Sequence, residues 1–145
     1  MKPTIKQNIT IPEHLTHVLI CLEKLAKITR LVHWNIKGSS FLTIHEMTER
    51  HYQQYAQITD DIAERIRTYD HIIKHNFSDH KLDADLVTHQ PKEALIHLSK
   101  TTNEAIYCAK TAIEQMKNDP VSEGLLVDTL GALQKNQWMI ESSKE

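Results

Sequence analysis

Glycine and proline are scarce in this chain of 145 residues, at 3 and 4. So few turn formers exclude a collagen-like or proline-rich disordered chain and argue against a turn-dense β-sandwich. Long helices are expected instead. No apolar run approaches the roughly 20 residues that a membrane-spanning helix needs; the longest lies around Val18 to Leu22, so no membrane partner is expected. With Met1 read as the native start, Lys2-Pro3-Thr4-Ile5-Lys6 has no apolar stretch behind it. A secretory leader is therefore not expected, and the expected location is cytoplasmic. Cysteine is limited to Cys21 and Cys108, which make neither a C-x-x-C pair nor a disulfide framework. Two packing thiols in a reducing compartment are the expectation. Positive charge is not in excess either: 17 Lys and Arg face 19 Asp and Glu. That balance lacks the global basic field of a phosphate-backbone binder.

Histidine is abundant, at 10 residues. Imidazole ligates metals and moves protons near neutral pH, so its placement along the chain decides what it does.

The length suits one domain, expected over residues 11–145 behind a short N-terminal tail, 1–10. Thr10-Ile11-Pro12-Glu13 has the form of a capping box with Pro early in a helix. Leu15, Val18, Leu19, Leu22, Leu25, Ala26, Thr29, Val32 and His33 then recur at three- and four-residue steps, predicting a helix over 11–37. Gly38-Ser39-Ser40 breaks it, and an uninterrupted stretch predicts a second helix over 41–69. Residues 70–90 mix turn formers with short apolar pieces, and a turn or two of helix is open between Asp83 and His89. Pro91 opens a third helix to about Lys117, and a fourth runs over 122–142 through Leu125, Leu126, Leu130, Leu133, Trp138 and Met139. The pattern predicts an all-α, ferritin-like four-helix bundle with one long crossover.

The chemistry concentrates on the second helix. With His45 at zero and about 100° per residue, Glu49 falls at about 40°, Asp60 at about 60° and Glu64 at about 100°. Ile44, Tyr55, Ile62 and Ile66 fall at roughly 260–300°, so the ligand-type side is not the core side. His45 with Glu49, and Asp60 with Glu64, are each one turn apart, the spacing at which two side chains converge on one ion. Glu49 and Asp60, however, are about 16 Å apart along the axis, too far to share a metal within a chain. Two such helices packed antiparallel about a two-fold axis near Gln54 would complete two symmetric sites. His33, on the buried stripe of the first helix, is either a satisfied core residue or a further ligand. A mixed set of His and carboxylates suits iron or zinc better than a thiolate-loving ion. No Glu is followed by His three positions later, so an intrachain di-iron centre built on Glu-x-x-His pairs is not expected.

The string HWNIKGSSFLTIHEMTERHYQQYAQITDDIAERI, residues 33–66, resembles the signature of the Dps family, the mini-ferritins named as DNA-binding proteins from starved cells. LLVDTLGALQKNQWMI, residues 125–140, is similar too. The resemblance implies a homo-dodecameric cage that oxidises Fe(II), preferentially with hydrogen peroxide, and stores Fe(III) mineral against oxidative damage. It implies His33, His45 and Glu49 as metal ligands from one subunit and Asp60 and Glu64 from its partner. Zinc would be a competitor, and Trp34 would serve as a redox-active neighbour. Glu49 stands where the family often has Asp. The family's glycine-rich turn is replaced by Thr68-Tyr69-Asp70-His71, and Gly124 occupies a position where an acidic pore residue is usual. Asp119, Glu123 and Asp128 are candidate substitutes. His71, His75, His80 and His89 are expected as solvated loop residues. The alternative is a nucleoid-associated DNA-compacting protein with a vestigial metal site, but the tail before Thr10 offers only Lys2 and Lys6.

Overall fold

Proline or a carboxylate marks three of the four helix starts in the computed structural model, which describes residues 9–74 and 89–144. The helices are α1 (Ile11–Asn35), α2 (Phe41–Arg67), α3 (Pro91–Ile113) and α4 (Pro120–Ser142). At the start of α1, the Glu13 carboxylate accepts from the Thr10 backbone N–H at 2.6 Å and from its hydroxyl at 2.8 Å. At the start of α4, Asp119 accepts from the Ser122 N–H at 3.1 Å, and this cap begins the helix two residues earlier than the expected 122. The first helix stops at Asn35, not 37, because Ile36 is extended and Gly38 takes a φ of +106° that favours glycine. The second stops at Arg67 and the third at Ile113, each shorter than expected.

Side-chain pairs define the topology. His33 meets His45, so α1 and α2 are antiparallel. Lys24 pairs with Glu104, setting α1 antiparallel to α3. Ser99 donates to Glu141, and Gln54 meets Asn136 while Arg65 meets Asp119, so α4 runs against both α3 and α2. α3 therefore starts beside the end of α1, where the Lys37 N–H donates to the His89 carbonyl at 3.2 Å. α2 ends at the opposite pole, so the connection over 68–90 must carry the chain back along about 40 Å of bundle. The fold is an all-α, ferritin-like four-helix bundle with a long loop between its second and third helices, as the pattern predicted. His89 is not a free loop histidine: its Nδ1–H donates to the Asn35 carbonyl at 2.9 Å. His75, His80 and, apart from the non-helical His89, the turn or two of helix considered between Asp83 and His89 lie outside the described residues.

All nine stripe residues expected on α1 are buried, and Ile44, Tyr55, Ile62 and Ile66 of α2 meet them in one core. Trp138 departs from its expected stripe and is 63% exposed on α4. The cysteines depart further. Cys21 and Cys108 are joined as a disulfide across 87 positions, which corrects the reading of two separate packing thiols. The antiparallel register of α1 and α3 brings them level, close to the Lys24–Glu104 pair, a juxtaposition invisible in sequence spacing.

A polar network ties the far end of α2 to α4. Arg65 donates to Asp119 at 3.0 Å and to the Ser122 hydroxyl at 2.9 Å, and Ser122 donates to Asp119 at 2.8 Å. Burial works to raise the Asp119 pKa, but the hydrogen bonds from Ser122 and the Arg65 charge outweigh it and leave it lowered. Asp119 is therefore a structural cap, not the free pore carboxylate that its position suggested. A folded-state pKa below the unfolded value stabilises above the ordinary carboxylate range and is lost as pH falls through the lowered value. Asp119→Ala should cost about 1–3 kcal/mol at neutral pH, with the difference from wild type shrinking in acid denaturation curves. For the disulfide, the unreduced denatured chain should be two hydrogens lighter by mass spectrometry than the reduced one. Reduction should destabilise the fold by about 2–4 kcal/mol. Two free thiols under non-reducing conditions would contradict the pairing.

Candidate metal centre

The turn at 36–40 folds α2 back on α1 and lays the rings of His33 and His45 face to face, 3.7 Å apart and 16° from parallel. Each ring is clamped by the other residue's backbone. His33 Nδ1 lies 2.9 Å from the His45 carbonyl, and His45 Nδ1 lies 2.8 Å from the His33 carbonyl. A carbonyl only accepts, so each Nδ1 carries the proton and donates. In the neutral ring this leaves a bare lone pair on each Nε2, the form in which imidazole binds a metal. Thr48, wholly buried, reinforces the arrangement by donating to the Ile44 carbonyl at 2.7 Å and lying 3.4 Å from His33 Nδ1. Tyr52 meets the His33 ring edge-on at 5.2 Å, and Phe41 flanks His45 at 4.9 Å.

The carboxylates are distributed as spacing on one helix requires. Glu49 is half-buried one turn after His45, while Asp60 and Glu64 are exposed further along α2. None of the three side chains makes an ion pair or hydrogen bond among the described residues. Trp34, next to His33 in the chain, is 65% exposed. The single chain thus brings His33 and His45 together, sets Glu49 one turn along the same face, and leaves Asp60 and Glu64 at a distance. Among the described residues, no group of three or more His, Cys, Asp or Glu is placed to hold a metal ion. Glu123 and Asp128 are exposed on α4.

Sequence reasoning missed His51. It falls at about 240° on the α2 wheel, on the rim of the apolar arc, and is 3% exposed with neither ring nitrogen partnered. Burial, with a smaller contribution from the Arg50 charge, pushes its pKa down to about 4, so it is neutral at ordinary pH. Its place beside the apolar arc was the available signal. Tyr55 was placed correctly in the core, but its polar end was not foreseen: its hydroxyl accepts from Asn136 at 3.1 Å, and burial raises its pKa.

The family described as a ferritin-like domain matches residues 13–143. A DNA protection during starvation protein of Mycolicibacterium smegmatis is 31% identical over 124 residues, covering 79% of this chain and 66% of that protein. The fine tangled pili major subunit of Haemophilus ducreyi is 30% identical over 153 residues, covering 96% and 77%. The solved structure of Mycobacterium smegmatis Dps in its tetragonal form aligns with a TM-score of 0.83 at 28% identity, covering 91% of this chain and 85% of that one. The chain belongs to the ferritin-like superfamily. Within that class it is a member of the Dps family.

The clamp makes a spectroscopic prediction. In selectively labelled, metal-free protein under mildly alkaline conditions, long-range proton–nitrogen spectra should show His33 and His45 as Nδ1-protonated tautomers. An Nε2-protonated ring at either position would break the argument for paired ligand lone pairs.

Proposed function

We propose that this protein is a ferroxidase and iron store, with Fe(II) as its substrate and a site completed only when two subunits meet. His33, His45 and Glu49 of one subunit and Asp60 and Glu64 of the other form the ligand set. The observation that carries this reading is the reciprocal histidine clamp, in which each Nδ1 donates to the other residue's carbonyl so that the neutral rings keep their Nε2 lone pairs, with the half-buried, unpaired Glu49 one turn along α2. Imidazole nitrogens with carboxylate oxygens suit iron, and zinc would compete for the same donors. The α2 face that carries His45 and Glu49 also presents Leu42, 62% exposed, and Phe41, 39% exposed, and Trp34, next to His33 on α1, is exposed as well. An exposed apolar rim around polar ligands supports burial of this face against a second copy.

In the reaction, two Fe(II) ions each give one electron to one hydrogen peroxide, whose O–O bond breaks. With two protons taken up, the oxygens leave as two waters, and the Fe(III) passes to mineral inside a dodecameric cage. The protein positions the metal and offsets its charge with carboxylates, while the fixed histidine tautomers hold the lone pairs ready. Trp34, exposed and next to His33 in the chain, is the residue assigned in this reading to quench a stray oxidising radical. Removing Fe(II) and peroxide together protects DNA without contact to the duplex, which accommodates the name borne by the smegmatis relative. The setting is the cytoplasm.

Complementation between subunits tests the reading. His45→Ala and Asp60→Ala should each slow peroxide-driven Fe(II) oxidation by about tenfold or more while assembling normally. Co-assembly of the two variants should restore part of the rate, because half the sites of a mixed dimer then combine an intact histidine half with an intact carboxylate half. Wild-type rates in Asp60→Ala, or no recovery on mixing, would overturn the shared site.

A further inference from the structure

A second feature of α2 faces a different direction and plays no part in the site above. Between α2 and α4 lies a pocket of about 340 Å³ lined by Arg50, His51, Gln54, Lys135, Asn136 and Met139. No carboxylate lines it. Arg50 donates its Nε–H to the Glu46 carbonyl at 3.3 Å, which leaves the terminal nitrogens of its fork. Neither Arg50 nor Lys135 takes part in an ion pair among the described residues. The Gln54 oxygen is engaged by the Asn136 amide at 2.9 Å, so the end of Gln54 that is left is its donor NH2. In the wall, His51 is 97% buried, the complement of its 3% exposure, and both ring nitrogens are without a partner.

Each of these groups asks for the same kind of ligand. Two cations without counter-charge repel a metal ion and leave a neutral molecule no charge to offset. An imidazole has at least one N–H in either protonation state, which burial makes costly to leave unpaired, and Gln54 adds another donor. An arginine fork pairs two oxygens of one anion, and a lysine takes a third as a point charge. A planar carboxylate has two oxygens to share among these donors, whereas a tetrahedral oxyanion has four. We propose that this pocket binds a tetrahedral oxyanion of the phosphate type, with Arg50 and Lys135 supplying the charge and Gln54 and His51 the neutral donors.

The test is calorimetric titration of inorganic phosphate into iron-free, assembled protein, so its outcome is separate from ferroxidase activity. Wild type should give saturable binding that sulfate displaces and acetate does not. Arg50→Gln and Lys135→Gln should each weaken it about tenfold, the scale of one charge-assisted hydrogen bond. Lys135→Arg should retain it, and Lys37→Gln, an exposed lysine near the turn before α2, should leave it unchanged. Dimethyl phosphate separates the sources: weaker binding than inorganic phosphate assigns the free anion, and equal binding assigns a phosphodiester. Absence of saturable heat, equal affinity in the Arg50 and Lys135 variants, or equal weakening by Lys37→Gln would each overturn the proposal. His51→Phe, which repacks the wall without a donor, should weaken binding while size-exclusion elution stays that of wild type; unchanged affinity removes His51 from the site.

Discussion

A carbonyl oxygen cannot donate a hydrogen bond, and the seating of α2 against α1 at the His33–His45 pair rests on that asymmetry. Because each of His33 and His45 presents Nδ1 to the other's carbonyl, both Nδ1 protons are assigned, and in the neutral rings both Nε2 atoms keep their lone pairs. The clamp exists only because the 36–40 turn seats α2 against α1 at one register. A shift of one residue on either helix would turn a ring by about 100° and separate the pair. The turn, the glycine at its left-handed position and the buried Thr48 thus hold the ring pair as well as the fold.

The same registers organise the rest of the bundle. α1 against α3 brings Cys21 to Cys108 and Lys24 to Glu104. α2 against α4 ties Arg65 to Asp119 and Ser122 at one pole and Gln54 and Tyr55 to Asn136 nearer the middle. Polar pairs of this kind add little net stability compared with the apolar core, but a slipped register would leave buried groups such as Asp119 and Asn136 without partners. They select one alignment among those that a leucine-rich stripe alone would tolerate.

α2 is consequently a helix with three uses. One arc packs Ile44, Tyr55, Ile62 and Ile66 into the core. A second carries His45 and Glu49 and, further along, the exposed Asp60 and Glu64. A third, holding Arg50, His51 and Gln54, faces the pocket shared with α4. At about 100° per residue the three sets point in different directions around the helix, so they meet different surroundings.

How much of this was legible beforehand follows from the range of each interaction. Helix positions, the core stripes of α1 and α2 and the outward direction of the His45–Glu64 face came from three- and four-residue periodicity, a property of local backbone geometry that any window of the chain contains. His33 was ambiguous in sequence, because a histidine on a buried stripe reads the same whether it fills space or holds a ligand. The fold shows it buried at 7% exposure with its Nδ1–H donated to the His45 carbonyl, a relation that the stripe alone does not contain. The Cys21–Cys108 bridge, the capture of Asp119 by Arg65, the exposure of Trp138 and the isolation of His51 were likewise tertiary decisions. Each depends on the rotation and level at which one helix meets another, and those relations join residues tens of positions apart that no local repeat connects.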